Sequence, residues 1–192
     1  MRELALHLLD LAENSVAAEA HTVTISVEED LVADRLCLSV ADDGRGMARE
    51  LAARVLDPFV TQRTDRKVGL GLPLLKAAAE ACQGGLRLET APGQGTRVAA
   101  DFQRSHLDRM PLGDLAGTWA TLLVGHPQVH WRFEYRVGAN EFVFDDADLK
   151  RELGGLPLTE PAVLRFTRAM LAEGVAAVRE AAPALAVPAG GI

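Results

Sequence analysis

Asp42-Asp43-Gly44-Arg45-Gly46-Met47 is the stretch on which the reading of this chain turns. It follows Leu36, Leu38 and Val40, whose alternation predicts a half-buried strand over residues 36–40. A carboxylate at the end of such a strand is held at a fixed place, and glycines two and four positions later let another body approach the backbone closely. By itself an Asp-Gly pair reads as a turn. Its meaning depends on what stands before and after it.

Before it, Leu4, Leu8, Leu11, Ala12, Ser15 and Val16 recur at helical spacing, which predicts an amphipathic helix over residues 2–20. Asp10 and Asn14 lie one turn apart on its polar stripe, a place that is also simply the solvated side of such a helix. His7 is on the same stripe and is expected to be exposed. Val23, Ile25 and Val27 mark a strand over 22–28. After the glycine loop come a short helix, Arg49 to Val55, and Asp57-Pro58-Phe59, where proline stops it. Residues 61–67 are polar and read as a loop, with Arg63, Arg66 and Lys67 as a small basic cluster. Gly69-Leu70-Gly71 then opens a helix from Leu72 to Cys82, with Pro73 in its first turn. Strands over 86–90 and 96–102 are joined by Pro92-Gly93-Gln94-Gly95.

These pieces supply what ATP asks of a protein. Asp42 offers an acceptor for the adenine amino group, and Asn14 offers an oxygen to a Mg²⁺ ion that keeps several waters. The glycines before the helix at Leu72 present free backbone N–H groups and a dipole that favours phosphate. Asp10 places a carboxylate near the metal, suited to orienting a water or accepting a proton.

The order of the motifs resembles the GHKL superfamily: Glu13-Asn14-Ser15, then Asp42 to Met47, Asp57-Pro58-Phe59, Gly69-Leu70-Gly71-Leu72 and Gly93-Gln94-Gly95-Thr96. Within it the chain looks most like the catalytic ATP-binding domain of histidine kinases. The resemblance implies an α+β fold, a two-layer α/β sandwich of Bergerat type with a mixed sheet and helices on one face. It implies that Asn14 ligates Mg²⁺, that Asp42 accepts from adenine N6, and that Gly44, Gly46, Met47, Phe59 and Thr96 serve the base. Lys67, Gly69, Leu70, Gly71 and Leu72 would serve the phosphates, under a lid over Thr61 to Val68.

Two departures bear on chemistry. Position 10 is usually Glu in ATP-hydrolysing members and anti-sigma-factor kinases and Asn in histidine kinases, so Asp10 is a candidate catalytic acid withdrawn by one methylene. Lys67 replaces the first glycine of the longer G-x-G-L-G-L pattern. A phosphoacceptor is expected on another chain or downstream, where Ser105-His106-Leu107-Asp108-Arg109-Met110-Pro111-Leu112 resembles a kinase H box with its acid displaced.

The domain reading is an ATP-binding domain over 1–103, a small α/β appendage of unassigned role over 104–180, and a disordered tail over 181–192. In the appendage a helix over 112–124 leads into a hairpin, 129–137 and 141–145, then helices near 146–153 and 160–180. Trp131, Phe133 and Tyr135 alternate on one face, with Phe142 and Phe144 across the turn: a core, or a docking surface if exposed. His126 and His130 are four apart, but Pro127 breaks any helix between them, so no metal site is read there.

A net charge of -7 over 192 residues, with no long basic run, argues against nucleic acid or anionic membrane as partner. Cys37 and Cys82 lack metal-ligand spacing and are expected in the core of a cytoplasmic protein without a signal peptide or membrane span. The function expected is ATP–Mg²⁺ binding by a protein kinase or ATPase acting in trans on a protein partner. The alternative is a non-catalytic ATP-sensing, anti-sigma-factor-like module. The oligomeric state is left open, a homodimer included.

Overall fold

A computed structural model describes residues 3–56 and 71–182. In chain order the elements are α1 (Leu4–Ala17), β1 (Thr22–Asp30), β2 (Arg35–Asp42), α2 (Arg49–Arg54), α3 (Gly71–Ala81), β3 (Gly85–Thr90) and β4 (Thr96–Gln103). There follow α4 (Leu115–Gly125), β5 (His130–Val137), β6 (Asn140–Asp145), α5 (Asp146–Glu152) and α6 (Pro161–Ala181). The six strands form one sheet in the order β3-β4-β2-β1-β5-β6. Every neighbouring pair is antiparallel except β1 and β5, so the sheet is mixed.

Alternation along the strands decides which face is covered. Val23, Ile25 and Val27 of β1, Leu36, Leu38 and Val40 of β2, and Trp131, Phe133 and Tyr135 of β5 are all buried. Helices α3, α1, α4 and α6 lie side by side over that face, α3 against β3 and β4, α1 against β1 and β2, α6 against β5 and β6. The two-layer α+β architecture is therefore present, with its core between helices and sheet. The opposite face carries charged pairs, among them Arg35 with Asp101 and Arg132 with Glu134.

The segment after residue 103 completes this sheet. β5 pairs with β1 from Thr22↔His130 to Glu29↔Val137, which puts the aromatic row in the common core. Phe133 stacks on Trp119, Trp131 and Phe144 at centroid distances of 4.9, 6.1 and 5.8 Å. Gly174 lets α6 close on this hairpin, since a Cβ there would come within 2.3 Å of the Phe142 ring. A polar clasp fastens the same helix: Arg179 donates to the Tyr135 hydroxyl, which donates to Glu29, while Arg104 donates to the other Glu29 oxygen. Burial pushes the Tyr135 phenol up to about 12, so it remains a donor.

Two sequence expectations are corrected. Cys82 is a core residue, but Cys37 falls on the opposite phase of β2 and faces the charged side of the sheet, where burial pushes its thiol up to about 11. His7 is 3% exposed rather than solvated. A polar residue on the helix stripe is thus covered by neighbours the helical period alone does not reveal. Desolvation pulls its imidazole down, as does the chain N-terminus, against an opposing pull from Asp10. Among the described residues no helix is long and apolar enough to cross a membrane.

Candidate functional site

The carboxylate of Asp42 emerges where the C-terminal end of β2 meets the N-terminal end of β4, paired Asp42↔Thr96. Among the described residues three donors hold it. Ser15 of α1 donates its hydroxyl to Oδ2 at 2.6 Å, and the N–H groups of Gly44 and Thr96 donate to Oδ1 at 3.0 and 3.2 Å. A carboxylate has about four acceptor positions. One on Oδ2 is therefore left for an outside donor, and the orientation of the group is already set.

The glycines of the loop are required by contact as well as by backbone angle. A Cβ at Gly44 would lie 2.8 Å from the Ala18 carbonyl, and one at Gly46, where φ is +61°, only 1.9 Å from the Ala91 carbonyl. Gly95, with φ +73°, would place its Cβ 1.8 Å from the Asp42 carbonyl. The loop is thereby pressed between the end of α1 and the β3–β4 turn, with Arg45 N–H bonded to Ala18 O and Gly93 N–H to Arg45 O. Its second acid is an anchor: Asp43 accepts from the N–H groups of His21 and Thr22.

Thr90 of β3 ties the loop to the hairpin. Its Oγ1 accepts from Met47 N–H at 2.9 Å, donates to Gly95 O, and lies 3.0 Å from Thr96 Oγ1. The sequence marks Ser15 as a position on the helical stripe and part of a motif, and does not mark Thr90. Neither hydrogen-bonding role has a spacing signature, because each acts through a partner far along the chain.

On α1, Asp10 and Asn14 are exposed one turn apart. Across from them α3 begins: a Cβ on Gly71 would lie 3.3 Å from Asp10 Oδ2. The structure thus gathers Asp42, Gly44, Gly46, Met47 and Thr96 at one end of the sheet and sets Asp10 beside Gly71 between α1 and α3, while Leu72 packs partly against the core. Phe59, Lys67, Gly69, Leu70 and the lid stretch Thr61 to Val68 lie outside the described residues.

His106 goes elsewhere. It sits in a turn after β4, its Nδ1 accepting from Asp108 N–H at 3.2 Å, instead of on a helix as an H box would be. β4 carries the chain from Thr96 to Gln103, about 24 Å at strand rise, away from the loop. His130, set aside in the sequence, lies beside Asp145 and Asp146.

The family described as histidine kinase-, DNA gyrase B-, and HSP90-like ATPase matches residues 2–106. The chain belongs to this family. Residues 2–106 are its ATP-binding, kinase-like part. Among curated proteins, the Non-motile and phage-resistance protein of Caulobacter vibrioides is 33% identical over 111 residues, covering 53% of this chain and 13% of that protein. The sensor histidine kinase ZraS of Salmonella typhimurium is 32% identical over 89 residues, 46% of this chain and 19% of that one. The chain spans less than a fifth of the length of these relatives. A crystal structure of the N-terminal domain of a DNA repair protein aligns with TM-score 0.55 at 12% identity, over 74% of this chain and 52% of that chain, a likeness of fold.

Proposed function

We propose that this chain binds ATP–Mg²⁺ at the Asp42 loop and acts in trans on a partner protein, as a protein kinase or ATPase in signalling or regulation. The observation that carries the reading is the Asp42 carboxylate, fixed by three donors with one acceptor position left open beside glycines that admit no side chain. That position suits the amino group of adenine, with Gly44, Gly46, Met47 and Thr96 around the base. Asn14 is the proposed Mg²⁺ ligand. The start of α3 at Gly71 and Leu72 offers backbone N–H groups to the phosphates, and the motif residues Phe59, Lys67, Gly69 and Leu70 are assigned to the same site by sequence.

Bound ATP would supply a transferable terminal phosphoryl group whose charge the metal offsets. The chain's own part is positioning. Asp10, which lies opposite Gly71, is the proposed group to orient a water or to take the proton of a substrate hydroxyl. Its short side chain is the one feature that favours the second reading, an ATP-sensing module that changes a partner contact without chemistry.

Asp42→Asn tests the site. It keeps an oxygen for Gly44 and Thr96 but turns an amide donor toward the adenine amino group, so ATP binding by calorimetry is expected to weaken at least tenfold. Binding equal to wild type sinks the assignment. With γ-labelled ATP and a partner, phosphoprotein or released phosphate above an Asn14→Ala control supports catalysis. An Asp10→Asn variant that binds ATP and exchanges partner like wild type favours the sensing module.

A further inference from the structure

Outside the nucleotide site, one cluster of described residues leaves a buried carboxylate oxygen without a hydrogen bond. His130 begins β5, Asp145 ends β6 and Asp146 begins α5, and the register Arg132↔Asp145 brings the three together. His130 Nε2 lies 2.8 Å from Asp145 Oδ1 and 3.8 Å from Asp146 Oδ1, and one ligand atom from each residue falls within 4.8 Å of the other two. Asp146 is 0% exposed, and Lys150 and the Trp131 N–H face its carboxylate, yet among the described residues its Oδ1 has no hydrogen bond of normal geometry. A buried carboxylate oxygen without a partner costs free energy and calls for a ligand.

The surroundings orient that oxygen. Lys150 Nζ sits 2.6 Å from Asp146 Oδ2 and also donates to Val129 O, so the ammonium is fixed on the far oxygen and Oδ1 is left toward His130. Asp145 Oδ1 already accepts from Ala147 N–H and keeps a second lone pair. His130 and Asp145 are part-exposed, which provides an entry path.

We infer that His130 Nε2, Asp145 Oδ1 and Asp146 Oδ1 bind one divalent transition-metal ion, Zn²⁺ being the best fit. Tetrahedral zinc with nitrogen and oxygen ligands near 2.0–2.1 Å sets neighbouring ligand atoms about 3.3 Å apart. The observed 2.8 and 3.8 Å from Nε2 bracket that value, and with the two carboxylate oxygens within 4.8 Å of each other, rotation of the carboxylates is what would bring all three onto one ion. One imidazole with two carboxylates suits zinc better than Mg²⁺ or Ca²⁺, which prefer oxygen alone. The competing occupant is a proton on His130, which answers Asp145 but leaves Asp146 Oδ1 at 3.8 Å.

The ion would join β5, β6 and α5 at the same end of the sheet as the Asp42 loop. His130 N–H bonds to His21 O, and His21 N–H to Asp43 Oδ1. The centre is thus two strands, about 10 Å, from the nucleotide site.

The test is calorimetric titration of the EDTA-treated, nucleotide-free full chain with ZnCl₂ at pH 7.5. One ion per chain is expected, with proton release and a higher Tm. His130→Ala, at a part-exposed position, should lower affinity at least tenfold and abolish the Tm shift, and Asp146→Asn should do the same with unchanged circular dichroism. His21→Ala and His126→Ala should bind as wild type. Absence of stoichiometric binding at micromolar Zn²⁺, or a His130→Ala chain that binds like wild type, overturns the site. So does binding that is lost in Asn14→Ala, which would assign the ion to the nucleotide site.

Discussion

The two halves of the sheet meet at the β1–β5 ladder and use the same layer differently. Strands β1, β2 and β4 carry, apart from Phe102, aliphatic residues under α1 and α3, and at their ends the chain is drawn into glycine turns where carbonyls stand closer than a Cβ allows. Strands β5 and β6 carry Trp131, Phe133, Tyr135 and Phe144, stacked on one another and on Trp119, and a polar clasp from Glu29 to Arg179. One half is organised around a place for a ligand, the other around its own interior. The contrast teaches that residues 107–182, beyond the family match, contribute a large share of the aromatic core against which the ligand-binding half is braced.

The largest expected effect tests whether the halves are one cooperative unit. Phe133→Ala removes a ring in contact with three others and should cost about 3–5 kcal/mol in denaturant unfolding, in a single transition. Two transitions, with ATP binding retained in the more stable one, would divide the chain near residue 103 into separate domains. Gly46→Ala strikes the other half. A left-handed backbone and a Cβ driven against Ala91 O should cost about 2–4 kcal/mol and abolish ATP binding by calorimetry. Unchanged ATP affinity would show that the loop does not face the ligand.

Ser15→Ala is a finer probe, because it frees Asp42 Oδ2 without moving a glycine. Loss of a hydrogen bond to a charged group, about 1.5–3 kcal/mol, should weaken ATP roughly tenfold or more while the far-ultraviolet spectrum is unchanged. Equal affinity would mean that Gly44 and Thr96 suffice to aim the carboxylate.

The smallest effect concerns His7. Its pKa is lowered by burial, so the unfolded chain binds the proton more readily than the folded one. The neutral form's contribution to stability is fully present above pH 6.5 and falls as pH drops from there toward the lower folded value. In urea titrations between pH 7.5 and 5, His7→Gln should remove part of the wild-type loss. Identical slopes would show that carboxylates carry the acid dependence.

Much of this architecture was legible because local pattern and fold agree. Leu4, Leu8 and Leu11 at helical spacing, Val23, Ile25 and Val27 at period two, and Gly71 with Pro73 at the start of α3 each encode an element within a few residues. The glycine motif was legible for the same reason, since an Asp at a strand end followed by Gly44 and Gly46 is a local instruction. Cys37 and His7 were misplaced because exposure is a property of the neighbours. Cys37 differs from Leu36 and Leu38 by one step of strand phase, and His7 is covered by packing its own helix does not disclose.

By itself the sequence determined the elements, the order of the nucleotide motifs and the aromatic row, because these rest on spacing within one segment. Only the tertiary structure decided that β5 joins β1, that Ser15, Gly44 and Thr96 converge on Asp42, and that Asp146 is buried beside His130. Each of those facts depends on contacts between residues far apart in the chain. Hydrogen-bond satisfaction and burial belong to the assembled layers, and no run of neighbouring residues records them.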